Sequence, residues 1–418
     1  MTKKHLSAIA ALILVTFSLQ AQNPSWWLFP GKGRKAKEVK EQKDSAKAVA
    51  PVSMTDSLKS LSDSLKAAEE SLNAEEDYIF ERSERISLLL MLPLGADGGK
   101  SSSNFMEMYC GALLAVRDLS LRGVKMDVEV IDTKQESYKA ERRLLEGKDV
   151  VIGPVASSQL EALMEFCPRS RSLISPLEPK AAALCSRGSV IQAPTPWTCQ
   201  VDELLSWLSE EKSFNDRVLV LKDNSEQQLG EQSRYLLEQL DERHIPYSII
   251  TDIESIGMDK LTTNRLLIAS DKDAFITKAI KQASTKAEQG CKIVLYCTSK
   301  VRNCVGPDVK DLHYCSARLT AAYYVDYNSK DVCDFVLAYR ALFKSEPGSF
   351  AFQGYDLVNF FVSNCERWGK RWNRRLSTQS FRGLQSDFVF DSSFENGKVN
   401  KGVRRIVYDK DLSTTLVK

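Results

Sequence analysis

From Ile86 onward the chain alternates short apolar runs with stretches of helical period. Ile86–Leu92 reads ISLLLML, a run suited to a strand buried on both faces of a parallel sheet. Residues 104–119 then put Phe105, Met108, Ala112, Leu113, Val116 and Leu119 on one helical face, with Asn104 and Glu107 spaced as an N-terminal cap. Met126, Val128 and Val130 alternate as a strand. A helix over 138–145, a strand over Val150–Ile152, a helix over 158–166 and strands at 173–174 and 190–191 follow. Strands that alternate with crossover helices predict a parallel sheet covered on both faces.

The same grammar recurs further along. Strands are predicted over 218–221, 247–250, 266–269 and 292–296, with helices over 226–242 and 272–287. Beyond the aromatic stretch 323–327 come helices over 331–343 and 355–367 and a β-rich end with Phe388 to Phe390 and Arg405 to Tyr408. Two α/β units in series are expected, and no period of 20 to 50 residues points to a solenoid.

The N-terminal part is different. Lys3, Lys4 and His5 precede 14 apolar-rich residues, Leu6 to Leu19, and Ala21 offers a small residue for cleavage, the pattern of a secretory signal peptide over 1–21. The run falls short of the roughly 20 residues of a membrane-spanning helix, and no cysteine beside the cut could take a lipid. Trp26, Trp27, Leu28 and Phe29 suit a membrane interface, which leaves an uncleaved anchor or a peripheral membrane contact as the alternative. Residues 22–85 read as a disordered charged linker: 31–50 hold seven Lys or Arg against three acids, and 51–80 hold seven acids against two Lys. Leu58, Leu61, Leu65, Ala68 and Leu72 would make a short helix or a weak coiled coil within it.

Composition narrows the function. With 57 Lys and Arg against 55 Asp and Glu in 418 residues, the net charge of +2 gives no general affinity for nucleic acid. Of three histidines only His244 and His313 lie beyond the leader, neither in an HExxH frame, and GxSxG and GxxxxGK[ST] are absent. An enzyme is not expected, although paired carboxylates that meet only in three dimensions leave no local trace. Ten cysteines allow up to five disulfides, but no CxxC spacing suggests zinc or thioredoxin-like chemistry, and Cys297 sits in an apolar run as a buried thiol. Nothing here calls for a cofactor or a metal.

The remaining chemistry lies in loops at the carboxyl ends of the predicted strands, where open α/β sheets bind ligands. Val151 to Glu161 reads strand, Gly153-Pro154 turn, Ser157 and Ser158, then helix. Those hydroxyls and backbone N–H groups could hold a carboxylate, or Ser158 with Glu161 could form a capping box that uses the same donors internally. Two further loops share the position: Ser175-Pro176-Leu177-Glu178, and Asn224 and Ser225 after the first strand of the second unit.

These residues resemble the type I periplasmic binding proteins of the branched-chain amino acid and receptor ligand-binding group. The likeness rests on Gly153-Pro154 with Ser157 and Ser158, on Ile174-Ser175-Pro176-Leu177, on Phe335, Tyr339, Phe343, Pro347, Ala351 and Gly354-Tyr355-Asp356, and on Phe381-Arg382-Gly383-Leu384 with Phe388 to Asp391. Met91 to Leu94 and Val325 to Tyr327 look most like envelope variants from Bacteroidota. The resemblance implies an α/β fold of two lobes, each a mostly parallel sheet flanked by helices, joined by a three-segment hinge. Lobe 1 would comprise 86–193 plus 326–382, and lobe 2 194–325 plus 383–418. It also implies a periplasmic protein that binds a small polar, amino-acid-like solute between its lobes through Ser157, Ser158, Ser175, Leu177, Asn224 and Ser225. Its partners would be a transporter or another envelope protein.

Two departures bear on that expectation. Leu229-Gly230 stands where such proteins usually carry a Tyr-Gly pair, and Glu178 places an acid near a site meant for an anion. The alternative is a scaffold that keeps the fold, holds no solute and acts as a protein-interaction module in the envelope, for which the long linker would supply effective concentration.

Overall fold

The computed structural model describes residues 84–96, 101–168, 170–178, 181–186, 190–225, 229–259, 261–304, 306, 308–391 and 398–417. The expected leader and all but the last two residues of the expected linker lie outside the described residues.

Five parallel strands form the first sheet: β1 (Ile86–Leu92), β2 (Met126–Asp132), β3 (Val150–Ile152), β4 (Leu173–Ser175) and β5 (Val190–Gln192), in the order β2-β1-β3-β4-β5. The unbroken apolar run of β1 is explained by burial on two sides. Leu88, Leu90 and Leu92 join one core with helices α1 (Ser103–Leu121) and, much later in the chain, α7 (Ser349–Trp368), while Leu89 and Met91 join a second with α2 (Ser157–Met164). Glycines let α1 and α7 approach closely. A Cβ on Gly111 would sit 1.9 Å from the Ala351 carbonyl oxygen, and one on Gly354 would sit 2.0 Å from that of Met108.

The second sheet is mixed. β6 (Arg217–Lys222), β7 (Ser248–Ile250), β8 (Asn264–Ala269), β9 (Ile293–Thr298) and β10 (Arg318–Ala321) run parallel, and β13 (Arg404–Tyr408) and β14 (Thr414–Leu416) complete it antiparallel. The order is β14-β13-β10-β9-β8-β6-β7. Helix α5 (Asp273–Glu288) covers one face through Ile276, Ala279, Ile280 and Ala283. The other is covered by α3 (Trp197–Glu211) and α4 (Glu231–Glu242), through Val201, Leu204, Leu205, Leu208, Leu236 and Leu240.

Several elements differ from the sequence pattern. The 138–145 helix reduces to the 3-10 turn Arg142–Leu145. Helix α1 starts at Ser103 with no side-chain cap, so Asn104 and Glu107 are not its capping pair. The helix expected from 226 begins at Glu231, after Gly230. Helix α3 and strand β10 were not read from the sequence, and the 323–327 stretch contributes only a bridge between Tyr323 and Ser386.

The chain passes between the sheets three times. Ala193 to Pro196 leads from β5 to α3, and a second passage leads from β10 to α6 (Lys330–Phe343). The third lies beyond the expected position at Gly383. Phe388 and Phe390 pack in the first lobe's core, Val399 bridges to Gln192, and the chain reaches the second sheet only at Arg404. Between α7 and that passage, β11 (Ser380–Arg382) and β12 (Asp387–Val389) form a small antiparallel pair.

Side chains stitch these passages together. Asn400 donates to the carbonyls of Ala193 and Asp387, both at 2.9 Å. Arg404, 2% exposed, donates to the carbonyls of Tyr324, Leu384 and Gly383 and pairs with Asp387. On the far side of the 384–386 segment, the buried Asp356 carboxylate accepts from the N–H groups of Leu384, Gln385 and Ser386 at 2.7, 2.9 and 3.0 Å. All ten cysteines are free thiols, so none of the five disulfides that their number allows is formed. Cys297 is buried, and burial pushes its thiol well above the ordinary range.

Candidate functional site

Parallel strands bring all their carboxyl ends to one edge of a sheet. In lobe 1 that edge carries Thr133 after β2, the Gly153-Pro154 turn after β3, Ser175 ending β4 and Gln192 ending β5. Gln192 lies directly before the first passage between lobes and Ser175 beside it, as the Ala193 N–H donates to the Ser175 carbonyl at 3.0 Å. In lobe 2 the corresponding edge carries Asp223 to Ser225 after β6, Ser270 to Lys272 after β8, and Ser299 and Lys300 after β9.

The turn after β3 is shaped for close approach. Gly153 has φ +101°, and a Cβ there would lie 2.1 Å from the Met91 carbonyl oxygen, so glycine is required. Its N–H donates to the Ile174 carbonyl at 2.7 Å, which docks the turn beside β4. Helix α2 starts at Ser157 with Ala156 at the cap and no side-chain cap bond. Ser158 is therefore inside the first turn rather than capping it, and the capping-box alternative does not describe this helix start. The first intrahelical bond is Leu160 N–H to the Ala156 carbonyl, at 2.9 Å. Ser157 is half-buried and Ser158 exposed.

Ser175 is fully buried, and its hydroxyl has no hydrogen-bond partner. Its register partner Gln192, 1% exposed, donates through Nε2 to the Pro194 carbonyl at 2.9 Å while its Oε1 lacks a partner. The Thr133 hydroxyl, on the far edge strand, is likewise buried without one. Gln192 and Thr133 were missed by sequence reasoning; for Gln192 a polar residue ending a buried strand was the available signal, while the less buried β2 offered none for Thr133. Leu177 is half-buried against the lobe 1 core, an apolar packing position.

In lobe 2 the exposed Asn224 and Ser225 belong to a larger charged cluster. Asp223 accepts from the Ser225 N–H and hydroxyl at 2.8 and 2.7 Å, and these bonds hold its carboxyl below the ordinary range. Lys272 Nζ reaches the Ser225 hydroxyl at 3.0 Å and Asp223 at 3.6 Å. Alongside, Asp271 accepts from Ser233 at 2.8 Å and the Gln232 N–H at 3.3 Å and pairs with Lys300 at 3.4 Å. Burial pulls the Asp271 carboxyl upward, but the Ser233 hydroxyl, the Lys300 charge and the Gln232 amide outweigh it and leave the pKa lowered. Gly230 makes this possible, since a Cβ there would lie 1.9 Å from Asp271 Oδ2. A cavity of about 60 Å³ lies beneath Asp271 and Lys300, floored by Val201, Leu204 and Ile276. These lysines and Asp271 carry no local motif, and sequence reasoning missed them.

A larger cavity of about 650 Å³ is found elsewhere, between Ile86 at the start of β1, Arg122 and Lys125 after α1, and Phe360 and Arg367 on α7. It opens at the amino end of the sheet, about 20 Å along β1 from the strand ends described above. Among the described residues, no group of three or more His, Cys, Asp or Glu could hold a metal, and no helix is long and apolar enough to cross a membrane.

No family model matches the chain, and no curated protein matches it. Solved structures do. A proposed branched-chain amino acid ABC transporter protein from Rhodospirillum rubrum is 15% identical, with 80% of this chain and 100% of that chain covered and a TM-score of 0.54. An ABC transporter substrate-binding protein from Desulfitobacterium hafniense, in complex with Leu, is 15% identical over 80% and 100% of the two chains, with a TM-score of 0.44. LivJ from Streptococcus pneumoniae, in complex with isoleucine, is 16% identical over 80% and 99%, with a TM-score of 0.40. Together with two mostly parallel sheets linked by three passages, the likeness to the Rhodospirillum rubrum structure shows that this chain has the two-lobe fold of the type I periplasmic binding proteins.

Proposed function

We propose that this protein is a non-enzymatic binding protein that takes a small, amino-acid-like solute between its lobes, for uptake or sensing. The reading is carried by one observation: Ser175 and Gln192, paired across β4 and β5 at the root of the hinge, hold a hydroxyl and an amide oxygen without protein partners. Leaving such a buried group unmade costs about 1–3 kcal/mol. A solute ammonium or amide N–H would meet that need once the lobes part, since both atoms are covered here. The uncapped first turn of α2, with Ser157 and Ser158, offers N–H donors and a favourable dipole to the solute's carboxylate. Asn224, Ser225 and Leu177 would flank the bound molecule.

Export to the periplasm, with cleavage near Ala21, rests on the basic and apolar residues 3–21 and belongs to the same reading. A transporter or another envelope protein would then receive the loaded form. The test is thermal shift and isothermal titration of the purified chain against an amino-acid library. A ligand at 100 times its Kd raises stability by about 2.7 kcal/mol. A flat response across the library, together with an envelope protein that co-purifies, would instead favour the ligand-free scaffold.

A further inference from the structure

Building on that solute-binding reading, we infer that the solute carries a second anionic group, and that Lys272 and Lys300 of lobe 2 bind it. The solute class is then the dicarboxylates, amino dicarboxylic acids included, rather than apolar amino acids.

The argument begins with how the lobe 2 cluster distributes its hydrogen bonds. Its two acids and two lysines cancel in formal charge; the Asp271 and Lys300 side chains stand at equal depth, 27% and 24% exposed, and the other pair does not. The Asp223 side chain is 4% exposed and that of Lys272 50%. The Asp223 oxygens are engaged by Ser225 and, at 3.5 Å, by the Ser270 hydroxyl; those of Asp271 are engaged by Ser233, Gln232 and Lys300. Asp223 thus spends its acceptors inward, while Asp271 shares its own with Lys300. Each ammonium has three donors. Lys272 directs one to the Ser225 hydroxyl, and Lys300 reaches the Asp271 carbonyl at 3.1 Å and its carboxylate at 3.4 Å. Donors remain on both, at the carboxyl ends of β8 and β9.

That edge faces the other lobe for a topological reason. β5 enters the first passage from its carboxyl end and β10 enters the second from its own, so the carboxyl edges of both sheets adjoin the hinge. The lobe 1 edge presents the uncapped start of α2 and the lobe 2 edge presents two ammonium groups. Donors on both sides select a molecule with an acceptor group at each end.

Isothermal titration of the full chain with L-glutamate, succinate and L-leucine tests the inference. L-Glutamate or succinate is expected to bind at least tenfold more tightly than L-leucine. K272Q and K300Q are each expected to weaken the diacid at least tenfold; K272Q leaves the melting temperature of the free protein unchanged, K300Q lowers it by removing the partner of Asp271, and K272R retains binding. Binding of L-leucine in preference to both diacids, or diacid affinity unmoved by K272Q and K300Q, overturns the assignment and leaves solute binding intact. Silence from all three probes overturns this assignment, and a flat response across the amino-acid library as well overturns the solute-binding reading itself.

Discussion

Arg404 and Asp387 form an ion pair at 2.7 Å, with the arginine side chain 1% exposed and the carboxylate bound by both Nε and Nη2. The same guanidinium holds carbonyls from the second passage and from the 383–384 turn. Removing it leaves one half-buried acid and three carbonyls without a partner. R404M is expected to cost about 3–5 kcal/mol, read as a lower urea midpoint.

Asp356 ties down the opposite side of that turn, and its effect depends on pH. Burial raises its carboxyl from the ordinary value of 3.8 to about 6, with the three loop amides opposing the rise. Between those values the folded protein binds the proton that the unfolded chain has released. This group's contribution is therefore fully favourable below about pH 4 and declines by about 3 kcal/mol as pH rises through 6. D356N should lose that slope. It should also be less stable by about 1–3 kcal/mol, because an amide NH2 cannot accept from backbone donors. Urea titrations at pH 4, 5, 6 and 7 read both effects.

The contact between α1 and α7 admits no methyl group. G111A drives Cβ into the Ala351 carbonyl, and G354A does the same against Met108. Each is expected to cost about 1–3 kcal/mol, with a lower melting temperature and a partly exposed lobe 1 core detectable by dye binding.

Ser157 and Ser158 separate binding from stability. Since neither caps α2, S157A and S158A should shift unfolding by less than about 0.5 kcal/mol, while weakening the solute in titration. A stability loss near 1 kcal/mol with affinity unchanged would return these serines to a purely structural role.

Free thiols give a direct check on covalent structure. Dithiothreitol should leave the melting temperature unchanged. The exposed Cys333 should react first with a thiol reagent. Cys185 and Cys304, buried and with thiols pushed up to about 11, should react only on unfolding.

Much of the fold could be read from periodicity, because buried parallel strands such as β1 and β3 are written as continuous apolar runs. Helix α3 carried a readable signal as well, Val201, Leu204, Leu205 and Leu208 at helical spacing, yet the surrounding Pro194, Pro196 and Trp197 obscured it. Strand β10 is only RLTA, and its burial is conferred by β9 and β13 on either side. The third passage was misplaced because Phe388 and Phe390 look alike as a strand of either sheet; only packing against Phe360 assigns them to lobe 1. For the candidate site, the turns that bear Ser157 and Ser175 were legible as Gly-Pro and Ser-Pro steps. The lobe 2 lysines were not, since Asp223, Asp271 and Lys300 are brought together by strand pairing across 77 residues and no spacing records it.

Threading lobe 1 from two distant parts of the chain has a consequence for how the molecule is made. Leu88, Leu90 and Leu92 are covered by α7, and Phe388 completes the same core. A chain emerging from the ribosome therefore displays β1 some 250 residues before α7 exists, a separation that slows folding and prolongs exposure of apolar surface. The five parallel strands of lobe 2, contiguous in sequence, can pair during that interval, before β13 and β14 complete their sheet, and termination before Phe388 would leave lobe 1 permanently unfinished.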